Sequence, residues 1–551
     1  MTADAQLIEA TKRWIADDLD PAAQAELEEL LAAAGESAEA AADLADRMSG
    51  MPRFGTAGIR GQVRAGANGM NRAVVVRTTA GVAAWLAERG FAGGTVVVGR
   101  DARHGSEAFA TDTADVLAAA GFEVRVLPEP LPTPVLAYAV RALDAVAGVQ
   151  ITASHNPPQD NGYKLYLRGG VQLISPADSE IEAAIAATPP ARSVPRERSW
   201  TLLESALPDY LRQVAALPRG GARPLRIAAT ALHGVGARTL RQALEMAGFP
   251  DVRFVASQVD PDPDFPTVSF PNPEEPGATD ALLELAEQEE ADLAIALDPD
   301  ADRCALGIRE DGRWRMLRGD ETGVLLAHHV LSAPREDAPE DPLVATTIVS
   351  STMLSAMAAD FGVRHAATPT GFKWLMRAGD GAGTGLVYAY EEALGHCVAP
   401  DLVRDKDGIS TAVLACDLAA GLKEAGRGLD DLLDELFTAY GVHRTGQVSV
   451  RVTDLSIISR TMQQLRENPP TRLGGVAVRT RDLRPDFDAL LITGPAGLRV
   501  VIRPSGTEPK LKCYLEVVEQ VAEDGLPAAK ERATVRLAEL QQAVSELVQE
   551  G

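Results

Sequence analysis

The chain is 551 residues long, 46% of them hydrophobic, with a formal charge of −25 and four scattered cysteines. That length calls for several hydrophobic cores, at roughly 150 residues each. The acidic balance disfavours nucleic acid and anionic membrane as partners, the cysteines show neither zinc spacing nor a disulfide framework, and no uncharged run is long enough to span a bilayer, so a cytoplasmic protein is expected.

In chain order, residues 1–50 are rich in Ala, Leu and Glu and read as a helical extension of one or two surface helices. Arg53-Phe54-Gly55-Thr56-Ala57-Gly58-Ile59-Arg60-Gly61 follows. Its glycines let backbone amides approach a ligand, and Arg60 adds a fork suited to phosphate oxygens. Apolar runs at 95–98, 124–126 and 145–151 then alternate with helical stretches. The layout recurs at 225–229, 252–255 and 293–297, and again at 343–349, 363–366 and 386–390. Such alternation predicts mixed or parallel sheets covered by helices, and hence three similar α/β domains at 51–218, 219–335 and 336–445.

The third run of each set ends in an unusual polar loop: Ser154-His155-Asn156, Asp298-Pro299-Asp300-Ala301-Asp302-Arg303, and Glu391-Glu392-Ala393-Leu394-Gly395-His396. Ligands of open α/β sheets lie beyond the carboxyl ends of the strands, so these loops are expected to converge on one cleft. Ser154, at a strand exit stopped by Asn156-Pro157, has His155 beside it and Lys164 beyond an Asn161-Gly162 turn signal, an arrangement that suits a nucleophile with proton carriers and cations at hand. Thr152 and Asn156 stand where a hydrolase elbow has glycine, which disfavours acyl transfer. Asp298, Asp300 and Asp302 alternate on a turning backbone, and their repulsion asks for a hard divalent cation, Mg²⁺ being the natural one. Arg303 and Arg309 occupy the places where an EF-hand has Gly and Glu, which excludes that loop.

Further on, Thr368-Pro369-Thr370-Gly371-Phe372-Lys373 offers hydroxyl, amide and ammonium groups before a helix, and Arg404-Asp405-Lys406-Asp407-Gly408 forms a mixed-charge turn. Residues 446–551 carry closely spaced strand signals and a helix from about 528 to 548, a smaller α+β domain. Its loop Arg503-Pro504-Ser505-Gly506-Thr507-Glu508-Pro509-Lys510 has the composition of a phosphate cradle.

Five of these motifs, in this order, resemble the α-D-phosphohexomutase family: the stretches at 54–61, 152–157, 298–303, 391–395 and 503–509. The forms Gly-Thr-Ala-Gly and Glu-Glu-Ala-Leu-Gly are most similar to its phosphoglucomutase-2-like branch of phosphoglucomutases and phosphopentomutases. The resemblance implies a four-domain, heart-shaped enzyme whose Ser154 carries a phosphoryl group and shares Mg²⁺ with Asp298, Asp300 and Asp302. It implies that Arg503, Ser505, Gly506 and Thr507 hold the non-reacting phosphate, with Lys510 in the same loop. Glu391 or Glu392 would receive sugar hydroxyls, and Thr370, Gly371, Lys373, Arg303 and Lys406 would contact substrate. Hexose-specialised members have a serine two residues after the sugar-binding glutamate, whereas Ala393 or Leu394 stands there in this chain.

The expected reaction is the interconversion of glucose 1-phosphate and glucose 6-phosphate, with glucose 1,6-bisphosphate as intermediate and activator. Phosphopentomutase and phosphomannomutase are the alternatives within the family. A Mg²⁺-dependent sugar phosphatase and a non-catalytic sugar-phosphate binding protein are the alternatives outside it. Arg60, His155 and Lys164 would offset charge at the phosphoserine, and either His155 or Lys164 would move the hydroxyl proton. Small sugar phosphates are the expected partners of a monomer or homodimer.

Overall fold

In a computed structural model of the chain, residues 4–53, 58–333, 337–452, 455–505 and 510–549 are described. They form two compact units: residues 1–218, 223–307 and 399–417 belong to the first, and 219–222, 308–398 and 418–551 to the second.

Three helices open the first unit, Ala5–Asp17, Pro21–Ala33 and Ala38–Arg47, where composition alone predicts one or two. Each starts at a side-chain cap: Asp4 accepts from the Leu7 amide, Asp20 from Ala22 and Ser37 from Ala40. Trp14, Leu27 and Leu44 are buried in one cluster with Val74, Val76 and Val116, so the extension shares its core with the helices behind the first sheet.

That sheet runs Ile59–Gln62, Asp160–Leu167, Ala147–Ile151, Thr95–Arg100, Glu123–Val126, Thr201–Leu202. Its central strands pair in parallel and are buried, as strands covered on both faces must be. After the serine loop the chain returns antiparallel, Asp160–Leu167 against Ala147–Ile151, and Ile59–Gln62 adds to the far edge with Arg60 opposite Gly162.

One sequence expectation changes here. Asn161-Gly162 is strand and not turn, and its glycine is required because a Cβ would lie 2.5 Å from the Thr152 carbonyl oxygen and 2.7 Å from that of Ile59. Gly58 is required on the same ground: at φ +87° its Cβ would fall 2.2 Å from the Tyr163 carbonyl oxygen. Both glycines let neighbouring backbones close up. Phe54, Gly55, Thr56 and Ala57 lie outside the described residues.

The second sheet repeats the plan. Ile227–Thr230 pairs in parallel with Val252–Phe254 and Leu293–Leu297, and Cys304–Glu310 returns antiparallel to the last. In the second unit, Leu343–Thr347 lies parallel to Arg364–Thr368 and Leu386–Glu391, with Gly395–Cys397 antiparallel beyond. The helix expected after Thr370 is a single turn, Phe372–Leu375. The polar loops after Ile151, Leu297 and Glu391 are thus each the connection of a hairpin grafted onto a parallel sheet.

The last sheet is antiparallel throughout, in the order Val442–Arg451, Lys510–Glu519, Arg499–Pro504, Leu490–Thr493, Arg479–Asp482. The helix Gly525–Gln549 buries Ala529, Ala533, Leu537, Leu540, Val544 and Val548, one stripe at helical spacing. Three mixed α/β sheets followed by a smaller α+β region is the expected fold class. No helix among the described residues is long and apolar enough to cross a membrane.

Substituting Gly162→Ala should overpack the contact of three strands and cost about 1–3 kcal/mol. Calorimetry should show the transition of the first unit lowered by several degrees, and an unchanged profile would contradict the steric account.

Candidate active site

The strand Ala147–Ile151 delivers Ser154 into a tight turn in which the Asn156 amide donates to the Ala153 carbonyl at 3.1 Å. Ser154 itself has φ +55°, a left-handed conformation that costs a non-glycine residue about 1–3 kcal/mol and persists only where its surroundings enforce it. Here the enforcing group is Arg103. From Nη2 it donates to the carbonyls of Ser154 and Asn156, both at 2.6 Å, and from Nη1 to those of Pro157 at 2.8 Å and Asp160 at 3.0 Å. Asp101 lies 3.4 Å from Arg103 Nε, Phe265 lies under the guanidinium at 4.8 Å, and Ser106 holds Asp101 at 2.6 Å. The serine loop is therefore shaped around a buried cation.

Ser154 Oγ donates to Asp298 Oδ2 at 2.8 Å and stands 3.2 Å from His155 Nδ1. With the serine proton directed to Asp298, the second contact is met by Nδ1–H of His155 donating to Oγ. Burial, then the charges of Arg303 and Arg60, push the His155 pKa well below the usual histidine range, so the ring is neutral. Arg60 reaches the turn through Asn156, donating from Nη1 to Oδ1 at 2.9 Å.

Asp298, Asp300 and Asp302 are buried, and one carboxylate oxygen of each lies within 4.8 Å of the others. The hairpin return places Lys164 among them, with Nζ donating to Asp300 Oδ2 at 2.6 Å and Asp302 Oδ2 at 2.7 Å. Thr133 Oγ1 donates to the same Asp300 oxygen at 2.5 Å. Burial, then the charges of Asp300 and Asp302, raise the Asp298 pKa well above the carboxylate range. Burial would raise Asp300 too, but the Lys164 ammonium outweighs it and holds that carboxyl below the usual range. Burial opposes the charge of Lys164 in turn, and Asp300 and Asp302 overcome it and raise its pKa.

The donor set fits a hard cation on two grounds. It consists of oxygen only, and Asp300 Oδ1 and Asp302 Oδ1 are buried without a hydrogen-bond partner among the described residues, the oxygens that Lys164 leaves unused.

Lys406 Nζ lies 3.6 Å from Asp302 Oδ2, so it stands in the carboxylate cluster. Its turn is fixed from both sides. Asp405 accepts from Tyr166 and Gln172, each at 2.7 Å, and Asp407 accepts from Tyr210 at 2.8 Å and from the amides of Ile409 and Ser410 at 3.0 Å. Arg303 contributes its amide to Asp298 Oδ1 at 3.0 Å, and its guanidinium lies 3.7 Å from Glu274.

The remaining expected residues belong to the second unit. Glu391 ends the strand Leu386–Glu391 and is buried, whereas the half-buried Glu392 accepts at Oε2 from Thr347 Oγ1 and Ser350 Oγ, both at 3.0 Å. Burial, then Asp320, raise the Glu392 pKa. Thr370 and Gly371 precede the single helical turn that carries the buried Lys373. The cradle is a hairpin end: Arg503 closes one strand with its guanidinium 5.5 Å over Phe487, and the Ser505 amide donates to the Lys510 carbonyl at 2.8 Å. Gly506 and Thr507 lie outside the described residues.

Sequence reading passed over Arg103 and Thr133. Arg103 had a signal, because Asp101-Ala102-Arg103 follows the parallel strand Thr95–Arg100 at the sheet edge where ligand loops gather. Thr133 had none, since nothing local marks a threonine after Pro132.

Family models for phosphoglucomutase/phosphomannomutase match the chain in succession: α/β/α domain I at 51–192, domain II at 208–312, domain III at 318–440 and the C-terminal domain at 450–532. The chain is 42% identical over 460 residues to the probable phosphomannomutase of Haemophilus influenzae, covering 81% of this chain and 93% of that protein. It is 33% identical over 573 residues to the phosphopentomutase of Mus musculus, covering 93% and 90%. Among solved structures, a Thermus thermophilus protein assigned as a phosphomannomutase matches with a TM-score of 0.71 at 25% identity, over 90% of this chain and 99% of that one. With its fold, its ordered motifs and these likenesses in agreement, the chain belongs to the phosphoglucomutase/phosphomannomutase family of the α-D-phosphohexomutase superfamily, a family of phosphosugar mutases.

Proposed function

We propose that the protein interconverts glucose 1-phosphate and glucose 6-phosphate through a phosphorylated Ser154 and glucose 1,6-bisphosphate, acting in the cytoplasm as a monomer or homodimer. The observation that carries the reading is Ser154 Oγ standing 2.8 Å from Asp298 Oδ2, within a buried carboxylate cluster that two lysines border. Phosphate monoesters are inert, so moving a phosphoryl group depends on neutralised charge and in-line placement more than on covalent chemistry.

Asp298, Asp300 and Asp302, together with Ser154, would hold Mg²⁺, which supplies Lewis-acid withdrawal of charge from phosphoryl oxygens. Lys164, kept charged by its aspartates, and Arg60 and Lys406 add cationic field at the same place. His155 or Lys164 takes the proton of the attacking sugar hydroxyl. Arg503, Ser505, Gly506, Thr507 and Lys510 take the phosphate that is not transferred. Glu392 and Glu391 receive sugar hydroxyls beside Thr370, Gly371 and Lys373, and Arg303 orients the sugar.

A pentose 1-phosphate is the second reading. Neither Ala393 nor Leu394 offers the hydroxyl that hexose-specialised members place after the glutamate, and the phosphopentomutase relative extends along 93% of the chain. The relative named for mannose adds mannose 1-phosphate to the set. Parallel assays of glucose, mannose, ribose and deoxyribose 1-phosphates, with Mg²⁺ and a trace of the matching bisphosphate, rank these substrates. Release of free phosphate without isomer would point instead to a phosphatase.

Ser154→Ala should lower turnover on the order of 10⁴-fold or more and remove the phosphoryl adduct seen by intact mass. Near-native activity would refute the carrier role. Asp300→Asn should raise the Mg²⁺ concentration for half activity by at least about tenfold, and an unshifted titration would contradict the ligand assignment. Arg103→Lys leaves a cation without the fork that spans four carbonyls; kcat should fall by about 10–100-fold, while a native kcat would show that the turn holds its shape unaided.

A further inference from the structure

Glu516 lies inside the strand Lys510–Glu519, opposite Arg499 on one side and Thr445 on the other, and is 1% exposed. Its Oε1 accepts from Ser351 Oγ and the Thr352 amide at 2.8 Å, from His443 Nδ1 at 3.0 Å and from Thr352 Oγ1 at 3.1 Å. Its Oε2 accepts from Arg499 Nη1 at 2.9 Å. Burial opposes ionisation, but His443 and Arg499 outweigh it and keep the carboxylate charged.

Arg499 reaches the same loop a second way, donating to the Ser350 carbonyl at 3.1 Å and to the Ile348 carbonyl. Ser350 then passes the link on, because its Oγ donates to Glu392 Oε2 at 3.0 Å and accepts from the Glu392 amide at 3.2 Å. One continuous set of hydrogen bonds therefore runs from the strands that bear the Arg503 hairpin, through residues 347–352, to Glu392.

Attraction between these two surfaces has a separate source. Val349, Ala489, Val501 and Tyr514 form an apolar cluster across the same junction. Apolar contact is tolerant of sliding, whereas a buried carboxylate with five donors has one arrangement in which all are met. An ionic group buried beside an adequate apolar contact adds little net stability, and its distinctive contribution is register.

We propose that Glu516 is a positioning residue that fixes the hairpin of Arg503 and Ser505 against the loop that orients Glu392, and so sets the spacing at which a sugar phosphate presents its phosphate to one and its hydroxyls to the other. The inference rests on the substrate roles proposed above for Arg503 and Glu392. Glu516 touches no substrate, so its effect belongs in recognition and not in the chemistry at Ser154.

The test compares Glu516→Gln with the native enzyme in two reactions: isomerisation of glucose 1-phosphate with a trace of glucose 1,6-bisphosphate, and loss of the phosphoryl group of Ser154 to water, followed by intact mass. The second reaction draws only on residues of the first unit. The expected result is a KM raised by about tenfold, a smaller fall in kcat, and phosphoserine hydrolysis within about twofold of native. A folded Glu516→Gln enzyme with native KM overturns the proposal, and so does a change of equal size in both reactions. If Glu516→Gln fails to fold, Ser351→Ala and Thr352→Val each remove single donors. Each should raise KM by about threefold, and two native KM values overturn the proposal. Arg503→Ala is the control: a KM unmoved by it removes the substrate reading and this inference together, whereas a KM raised by Arg503→Ala but not by Glu516→Gln defeats the inference alone.

Discussion

Mutual repulsion among three buried carboxylates is the constraint on which the first unit depends. Asp298, Asp300 and Asp302 are brought within 4.8 Å of one another by one tight turn, in surroundings that penalise every charge. Lys164 joins two of the three through one oxygen each and leaves their other oxygens without a partner among the described residues, so partial neutralisation and a donor set suited to a further cation arise from one contact. The lysine can be there only because Asp160–Leu167 folds back along Ala147–Ile151, and that return requires a glycine where three backbones meet.

Around this cluster the molecule uses buried charge repeatedly as a former of loops. Arg103 gathers the carbonyls of Ser154 and Asn156 around the left-handed serine whose Oγ meets Asp298. Asp405 and Asp407 perform the converse service for Lys406, anchored by the phenols of Tyr166 and Tyr210. In the second unit Glu516 gathers donors from two sheets in the same manner. In each case a long-range partner, distant in sequence, supplies what local turn chemistry lacks.

Which parts were legible follows from this. Apolar runs and their alternation with helices reveal the sheets, because the need to bury both faces is written locally into Val96–Val98 or Leu293–Leu297. The proximity of Ser154 and the aspartate trio is legible because uncommon polar residues stand directly after apolar strands, and the structure brings them together. The antiparallel returns were not, since the residues of Asp160–Leu167 mix glycine, asparagine and lysine for reasons that only tertiary contacts disclose. Asn161-Gly162 has the local signature of a turn, and close approach of Thr152 and Ile59 overrides it. Lys406 stands out only as a cation in a mixed-charge turn, and its place beside Asp302 depends on tyrosines far away in the chain.

The path of the backbone adds one more consequence. Residues 399–417, with Lys406 among them, pack with the first unit, although the chain on either side of them belongs to the second. During synthesis the serine and the aspartates leave the ribosome well ahead of this segment, and the whole third sheet is made in between. A nascent chain arrested before that point holds Tyr166 and Tyr210 with their acidic partners missing, so completion of the first unit is a late event in translation and no single cut of the chain separates the two units.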